Sequence, residues 1–252
     1  IQYNQFMKLL LTSAGMNVEE EIIKVLPQSS HQLKIAHIIT PSKPEININY
    51  VRKDKKKITE LGNFDVEDID IEGKNEEELR RIFINKDAVF VQGGNTFYLL
   101  KQARMSGFDK VIKELVYKGL LYIGISAGTY ITCPTIEQAS WKNPNGNRYG
   151  LIDLTELNLV PFLIFAHYTE DHRLLLEKAV KTTSLPVVAI SDTQAVFVED
   201  NIYKIVGTGP KVFFNGFKET VIDNNTEELK SLEKSILRGL KQAKKGKGTL
   251  FE

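Results

Sequence analysis

The stretch GLLYIGISAGTY (119–130) decides the fold prediction, because it joins a buried strand to a tight turn. An almost entirely apolar run comes first, and the small residues Ser126, Ala127 and Gly128 follow it. Such a run is typical of a strand that is covered on both faces. We interpret the turn as a strand-to-helix elbow that exposes the Ser126 hydroxyl. An ordinary strand-end turn, in which Ser and Gly are common, is the alternative.

Strand-like and helix-like segments alternate over the first half of the chain. The strand-like segments are 9–14, 34–40, 65–73, 88–96 and 120–126, and the helix-like segments are 19–26, 75–83, 96–107 and 108–119. The charged segment 45–62 is either an exposed helix or a loop. Strands separated by helices imply right-handed crossovers. The pattern therefore predicts a three-layer α/β fold, with a mainly parallel sheet and helices on both faces.

The pattern changes after residue 150, where strand-like runs follow one another with short turns, at 159–168, 187–200, 202–207 and 211–216. We expect these runs to extend the same sheet in an antiparallel or mixed fashion. A single α/β domain is therefore predicted over 7–223. Residues 1–6 precede Met7, which we interpret as the initiator, and 224–252 is predicted to be an amphipathic, Lys-rich helix and tail.

Composition argues against several classes of protein. Lys and Arg total 33 and Asp and Glu total 32, so no general nucleic-acid footprint is expected. No apolar run approaches ~18 residues, so we expect no membrane partner. The one cysteine, Cys133, leaves no internal disulfide and no paired-cysteine metal site, and it fits a reducing, cytoplasmic location. No G-x-G-x-x-G follows a strand, and we predict no metal and no cofactor.

A nucleophilic Ser126 needs a base within hydrogen-bond reach and backbone donors for an oxyanion. His167 is the best candidate base, because it ends the apolar run LIFAH (163–167). His37 lies within a strand and is better explained as a core residue. Gly93 and Gly94 end another strand, where their N–H groups could complete an oxyanion hole or bind a carboxylate. The alternative is a plain turn in which Asn95 or Thr96 caps the next helix.

Two segments together resemble the dipeptidase E family of serine peptidases, which includes aspartyl dipeptidases and, more distantly, cyanophycinases. They are VQGGNTFYLLKQARMSGFDKVIKELVYKGLLYIGISAGTYITCPTI (91–136) and FAHYTEDHR (165–173). The resemblance implies a flavodoxin-like sheet similar to that of class I glutamine amidotransferases, with a serine in place of their cysteine. It implies that Ser126 is the nucleophile and His167 the general base. It also implies that the N–H groups of Ala127, after the nucleophile, and of Gly94, in the turn that includes Gly93 and Asn95, bind the oxyanion.

One departure concerns the acid that would orient His167. The family places an aspartate about fifteen residues after the nucleophile, and that position is Trp141 here. Asp192, which follows a buried strand, is preferred over Glu137 as the replacement, and a simple turn role for Asp192 stays open. Arg173 falls near the position where the aspartyl dipeptidases hold the acidic side chain of the substrate.

Two hypotheses for the function follow. The first is a serine hydrolase that cleaves short peptides or related amides through an acyl-enzyme on Ser126. The second is a non-catalytic relative that binds a small acidic ligand in the retained pocket. A glutamine amidotransferase is not expected, because Cys133 lies seven residues after Ser126 rather than at the elbow. An oligomer is possible, and the sequence does not define its state.

Overall fold

The fold is that of a computed structural model, which describes residues 7–200, 202–215 and 218–222. Its strands are β1 (Lys8–Thr12), β2 (Leu33–Ile38), β3 (Phe64–Ile69), β4 (Ala88–Val91), β5 (Leu121–Ile125), β6 (Leu163–Phe165), β7 (Val187–Ala189), β8 (Gln194–Glu199), β9 (Ile202–Gly207), β10 (Lys211–Asn215) and β11 (Lys218–Ile222). Its α-helices are α1 (Glu19–Val25), α2 (Asn49–Glu60), α3 (Glu76–Phe83), α4 (Thr96–Ser106), α5 (Phe108–Tyr117), α6 (Ala127–Tyr130), α7 (Gln138–Lys142) and α8 (Arg173–Ala179).

A seven-stranded sheet forms the centre of the molecule, in the order β3-β2-β4-β5-β1-β8-β9. The first five of these strands are parallel, and β8 and β9 add to the edge in antiparallel pairing. β1, β4 and β5 are almost wholly buried, which is expected of strands covered by helices on both faces. The three-layer, mainly parallel α/β prediction is confirmed.

Local sequence signals account for the ends of the helices. Asn75 caps α3 by accepting from the Glu78 N–H, and the Glu78 carboxylate accepts from the Asn75 N–H in return. α4 ends at Gly107, which is left-handed (φ 74°), and a Cβ there would lie 2.2 Å from Glu76 Cγ. Segment 45–62 contains α2, which buries only Val51 and Ile58, so the exposed-helix alternative was the correct one.

The expected extension of the sheet was only partly correct. β8 and β9 extend the main sheet, but β6, β7, β10 and β11 form a second sheet of four strands. The predicted strand 187–200 is broken by a turn, in which the Gln194 N–H donates to the Ser191 carbonyl at 3.0 Å. The Gln194 side chain also accepts from the Ser191 N–H at 3.0 Å. Because of this turn, β7 pairs with β6 while β8 pairs with β1.

Two predicted segments, 1–6 and 224–252, lie outside the described residues. The division of the chain into a 7–223 domain and a C-terminal helix therefore stays a prediction. Within the part of the chain that the structure describes, no helix has the length and apolar character needed to cross a bilayer.

Candidate active site

Ser126 lies on a sharp turn between β5 and α6, with φ 49° and ψ −99°. A positive φ is uncommon for a residue with a side chain and marks local strain. Hydrogen bonds to the main-chain N–H and carbonyl of Ser126 hold this turn. The Ser126 N–H donates to the Thr12 carbonyl at 3.1 Å, and the Ser126 carbonyl accepts from the Thr129 and Tyr130 N–H groups at 2.9 Å each.

The two glycines of the G-x-S-x-G pattern are required by close backbone contacts. A Cβ on Gly128 would lie 2.1 Å from the Val91 carbonyl oxygen, and one on Gly124 would lie 2.7 Å from the Gly128 oxygen. Real Cβ atoms do not approach backbone this closely, so any larger residue would move β5 or α6. The pattern thus encodes the packing that exposes Ser126.

His167 follows β6 and meets Ser126 across the site. Its Nε2 lies 3.0 Å from Ser126 Oγ, which is hydrogen-bond distance. His167 also has a positive φ, 56°, and its main-chain N–H donates to Ser13 Oγ at 2.7 Å. The imidazole is therefore held in place by its backbone as well as by its ring nitrogens.

Asp192 occupies the turn between β7 and β8, and its Oδ1 lies 2.6 Å from His167 Nδ1. Burial alone would raise the pKa of Asp192. The Ser13 hydroxyl bond, the charge and hydrogen bond of His167, and the Lys142 charge outweigh that effect and hold the pKa below its ordinary value. The carboxylate is therefore charged at neutral pH and accepts a hydrogen bond from Nδ1, which leaves Nε2 as an acceptor for the Ser126 hydroxyl.

Ser13 is a site residue that the sequence interpretation missed. Its hydroxyl donates to Asp192 Oδ1 at 2.8 Å while accepting from the His167 N–H. It directly follows β1, which is paired with β5. The available signal was positional, since residues after neighbouring parallel strands gather at the same edge of a sheet.

Trp141 and Lys142, on α7, occupy the region where the resemblance implied an acid. The Trp141 ring stacks on Phe165 at 6.2 Å between centroids and does not join the hydrogen-bonded chain. Lys142 Nζ donates to the carbonyls of Ala166 (2.7 Å) and His167 (3.0 Å) and lies 4.2 Å from the Phe165 ring centroid. Burial lowers the pKa of Lys142 to about 8, and the Asp192 charge opposes that effect. Through Lys142, α7 therefore holds the main chain at Ala166 and His167.

The glycine turn lies on the other side of Ser126. Gly94 has φ 137°, and a Cβ there would lie 2.2 Å from the Pro41 carbonyl oxygen, so only glycine fits. Asn95 donates its N–H to that same carbonyl at 2.8 Å and caps α4 through its side chain, which accepts from the Tyr98 N–H. Among the described residues, no acceptor is paired with the Gly94 or Ala127 N–H. Two amide donors thus lie near Ser126, one on the next residue and one on the glycine turn that lines the same cavity.

A cavity of about 550 Å³ opens beside Ser126 and His167. Its lining includes Ser13, Gly93 and Gly94, and also the four charged side chains of Glu45, Lys53, Asp54 and Lys57. Arg173 is not among the residues that line this cavity, and its Nε pairs with the Glu170 carboxylate. Glu137 forms no hydrogen bond with His167 among the described residues.

The remaining candidate groups are accounted for elsewhere in the fold. His37 is fully buried and its Nδ1 lies 2.8 Å from Asp68 Oδ1, which agrees with the core role expected of it. Cys133 is buried, and burial raises its pKa to about 12. Within the described ranges, no three His, Cys, Asp or Glu side chains come together as metal ligands.

Comparison with known proteins identifies the family of the chain. The sequence profile of peptidase family S51 matches residues 9–206. An uncharacterised peptidase of Listeria innocua is 34% identical over 169 residues, which is 66% of this chain and 80% of that protein. An uncharacterised peptidase of Pasteurella multocida is 31% identical over 204 residues, 79% of this chain and 96% of its own length. Peptidase E of Escherichia coli is 42% identical over 88 residues, 34% of this chain and 35% of that protein.

Solved structures give the same result. The crystal structure of a candidate peptidase E protein from Listeria monocytogenes superposes with a TM-score of 0.72 and 29% identity, covering 81% of this chain and 99% of that one. A peptidase from an acI-B1 Actinobacterium shares the fold at a TM-score of 0.67 and 13% identity, covering 88% and 96% of the two chains. Because the family profile matches residues 9–206, which is more than half of the chain, the chain belongs to peptidase family S51, the dipeptidase E family, and is a peptidase.

Proposed function

We propose that the protein is a serine peptidase or amidase of short peptides, with Ser126 as nucleophile, His167 as general base and Asp192 as the acid that orients His167. The observation that carries this proposal is the unbroken chain of hydrogen bonds from Ser126 Oγ through His167 to Asp192, at 3.0 and 2.6 Å. An unactivated serine is a weak nucleophile, and this arrangement supplies the base and the orienting group it requires.

The proposed reaction has two steps. The Ser126 oxygen attacks the carbonyl carbon of the scissile amide while His167 Nε2 takes its proton, and the oxyanion is bound by the Gly94 and Ala127 N–H groups. His167 then gives the proton to the departing amine, which leaves an ester on Ser126. Water, deprotonated by His167, hydrolyses that ester and restores the serine.

A non-catalytic relative was the other hypothesis, and it depended on the lack of an acid at position 141. Asp192 at 2.6 Å from His167 Nδ1 favours the catalytic proposal instead. The charges around the cavity also suit a small zwitterionic peptide, because Glu45 and Asp54 can face an ammonium group and Lys53 and Lys57 a carboxylate. No cofactor is required for this chemistry.

Intact-mass analysis after treatment with a small phosphonofluoridate tests the proposal. We expect one adduct on the wild type, none on Ser126→Ala, and slow formation on His167→Ala. Ser29→Ala is the matched control, because Ser29 Oγ lies 2.6 Å from His31 Nδ1 in an exposed loop and forms a serine–histidine pair outside the cavity. Its adduct should equal that of the wild type. A folded wild type that takes no adduct would contradict the proposal.

A further inference from the structure

The glycine turn is held by helix α2, which lies outside the two segments whose motifs carry the family resemblance. Tyr50 lies on α2, and its hydroxyl donates to the Gly93 carbonyl at 3.3 Å. Tyr50, Gly93, Gly94 and Ser126 all line the same cavity. The contact therefore joins the exposed helix α2 directly to the turn beside the nucleophile.

The Gly93 carbonyl and the Gly94 N–H belong to one peptide group. In a trans peptide these two groups point in opposite directions, so a donor on the carbonyl side leaves the N–H directed away from that donor. A hydrogen bond accepted by the carbonyl also polarises the amide and makes its N–H a stronger donor. The Tyr50 hydroxyl thus acts on the Gly94 N–H from the far side of the same peptide.

A second contact from α2 fixes the preceding peptide. The buried Gln92 side chain accepts from the Gly93 N–H at 2.7 Å and donates to Asp54 Oδ2 at 2.9 Å. Asp54 lies one helical turn after Tyr50, on the same face of α2. Helix α2 therefore restrains the Gly93 carbonyl directly through Tyr50 and the Gly93 N–H through Gln92. The Gly94 amide consequently has little freedom to rotate.

We propose that Tyr50 is a positioning residue for the reaction, which orients and polarises the Gly94 N–H as an oxyanion donor. This inference rests on the proposed function, in which that N–H binds the oxyanion. Tyr50 touches no reacting atom and acts through the Gly93–Gly94 peptide. Burial raises the pKa of Tyr50 to about 12, so the hydroxyl keeps its proton over the pH range of any assay near neutrality.

The test compares Tyr50→Phe with Tyr117→Phe, which also removes a half-buried hydroxyl but lies outside the cavity lining. With p-nitrophenyl acetate as probe, we expect Tyr50→Phe to lower kcat about tenfold with KM changed less than about twofold, since the bond acts on the oxyanion and not on the bound ester. Tyr117→Phe should change neither quantity. Loss of kcat in both variants would overturn the proposal, because removal of any half-buried hydroxyl would then suffice.

A spectroscopic measurement separates this inference from the proposed function. With selective ¹⁵N-glycine labelling, loss of the hydroxyl should move the Gly94 amide nitrogen upfield in Tyr50→Phe and leave the resonances of distant glycines unchanged, which also reports that the variant is folded. An unchanged Gly94 resonance overturns the Tyr50 role even where phosphonofluoridate still labels Ser126. Failure of the folded wild type to be labelled overturns the proposed function and the Tyr50 role with it.

Discussion

The Ser13 hydroxyl and the Asp192 carboxylate are joined at 2.8 Å, although 179 residues separate them in sequence. The same oxygen of Ser13 accepts the His167 N–H at 2.7 Å. Ser13 therefore holds the Asp192 carboxylate and the His167 backbone with a single hydroxyl. Among the described residues, the Ser13 side chain forms no hydrogen bond with Ser126. Its effect on the proposed reaction is therefore to orient His167 and Asp192.

We expect Ser13→Ala to reduce kcat by about tenfold, since one hydrogen bond to a charged group and one to the His167 backbone are lost together. The measurement is steady-state hydrolysis of p-nitrophenyl acetate. Ser191→Ala is the control, because the Ser191 hydroxyl bonds to Thr193 and Gln194 within the same turn and not to the Asp192 carboxylate. Equal losses in the two variants would show that the turn as a whole, rather than Ser13, is responsible.

Asp192→Asn should lower kcat by at least about a hundredfold, because an amide at this position no longer stabilises the imidazolium or favours the useful tautomer. Glu137→Gln tests the acid that was not preferred and should leave kcat within about twofold. Phosphonofluoridate labelling rates of the two variants provide the second measurement. If Glu137→Gln is the slower variant, the assignment of the orienting acid is wrong.

Lys142 supplies a pH dependence of stability whose sign follows from its lowered pKa. Between about pH 8, its pKa in the folded protein, and its ordinary pKa of 10.5, the unfolded chain binds more protons at this residue than the native state does. The free energy of unfolding of the wild type, relative to that of Lys142→Met, should therefore rise as pH increases through this window. Denaturant unfolding of both proteins at pH 7, 8, 9 and 10 measures the difference. A constant or falling difference would contradict the burial of the Lys142 ammonium group.

Gly94→Ala should destabilise the protein by at least ~3 kcal/mol, because the backbone is at φ 137° and the new Cβ would lie 2.2 Å from the Pro41 carbonyl oxygen. Gly73→Ala is a matched control, with φ 74° and open space around the Cβ position, and should cost about 1 kcal/mol. Thermal unfolding of both variants gives the comparison. Similar losses at the two positions would mean that the turn yields to the added methyl group.

The residues that bind an acidic side chain of the substrate can be identified with two dipeptides, Asp-Leu and Ala-Leu, which differ in that side chain. The double variant Lys53→Gln, Lys57→Gln removes two cavity-lining ammonium groups and should raise KM for Asp-Leu more than for Ala-Leu. Arg173→Gln, at a residue outside that lining, should affect the two substrates alike. A selective loss of Asp-Leu cleavage in Arg173→Gln alone would instead assign binding of the acidic side chain to Arg173, as the family resemblance implied.

The parts of the site that the sequence predicted are those with a local pattern. The elbow at Ser126 and the capped turn at Asn95 each follow from a few adjacent residues whose backbone demands are specific. Asp192 was preferred only weakly, because a turn aspartate after a strand has no distinguishing neighbours. Its pairing with His167 depends on the turn at Ser191, which interrupts the strand and places β7 and β8 in different sheets.

The contacts that the sequence did not predict join residues that lie far apart in the chain. Tyr50 and Lys142 lie on helices whose polar residues look like an ordinary solvated face, and the buried contacts of those side chains arise only after the elements pack. The second sheet was missed for the same reason, since short apolar strands carry no signal about which sheet they join.

The turn that carries Asp192 also has a consequence for which nearby substitutions the site can tolerate. Asp192 lies on the crossover between the two sheets, so its position depends on both of them, and the charge of Lys142 in segment 137–149 also acts on its carboxylate. Within that segment Lys142 donates to the His167 carbonyl, whereas Trp141 packs on Phe165 and does not join the hydrogen-bonded chain, so we expect the site to tolerate substitution of Trp141 better than substitution of Lys142.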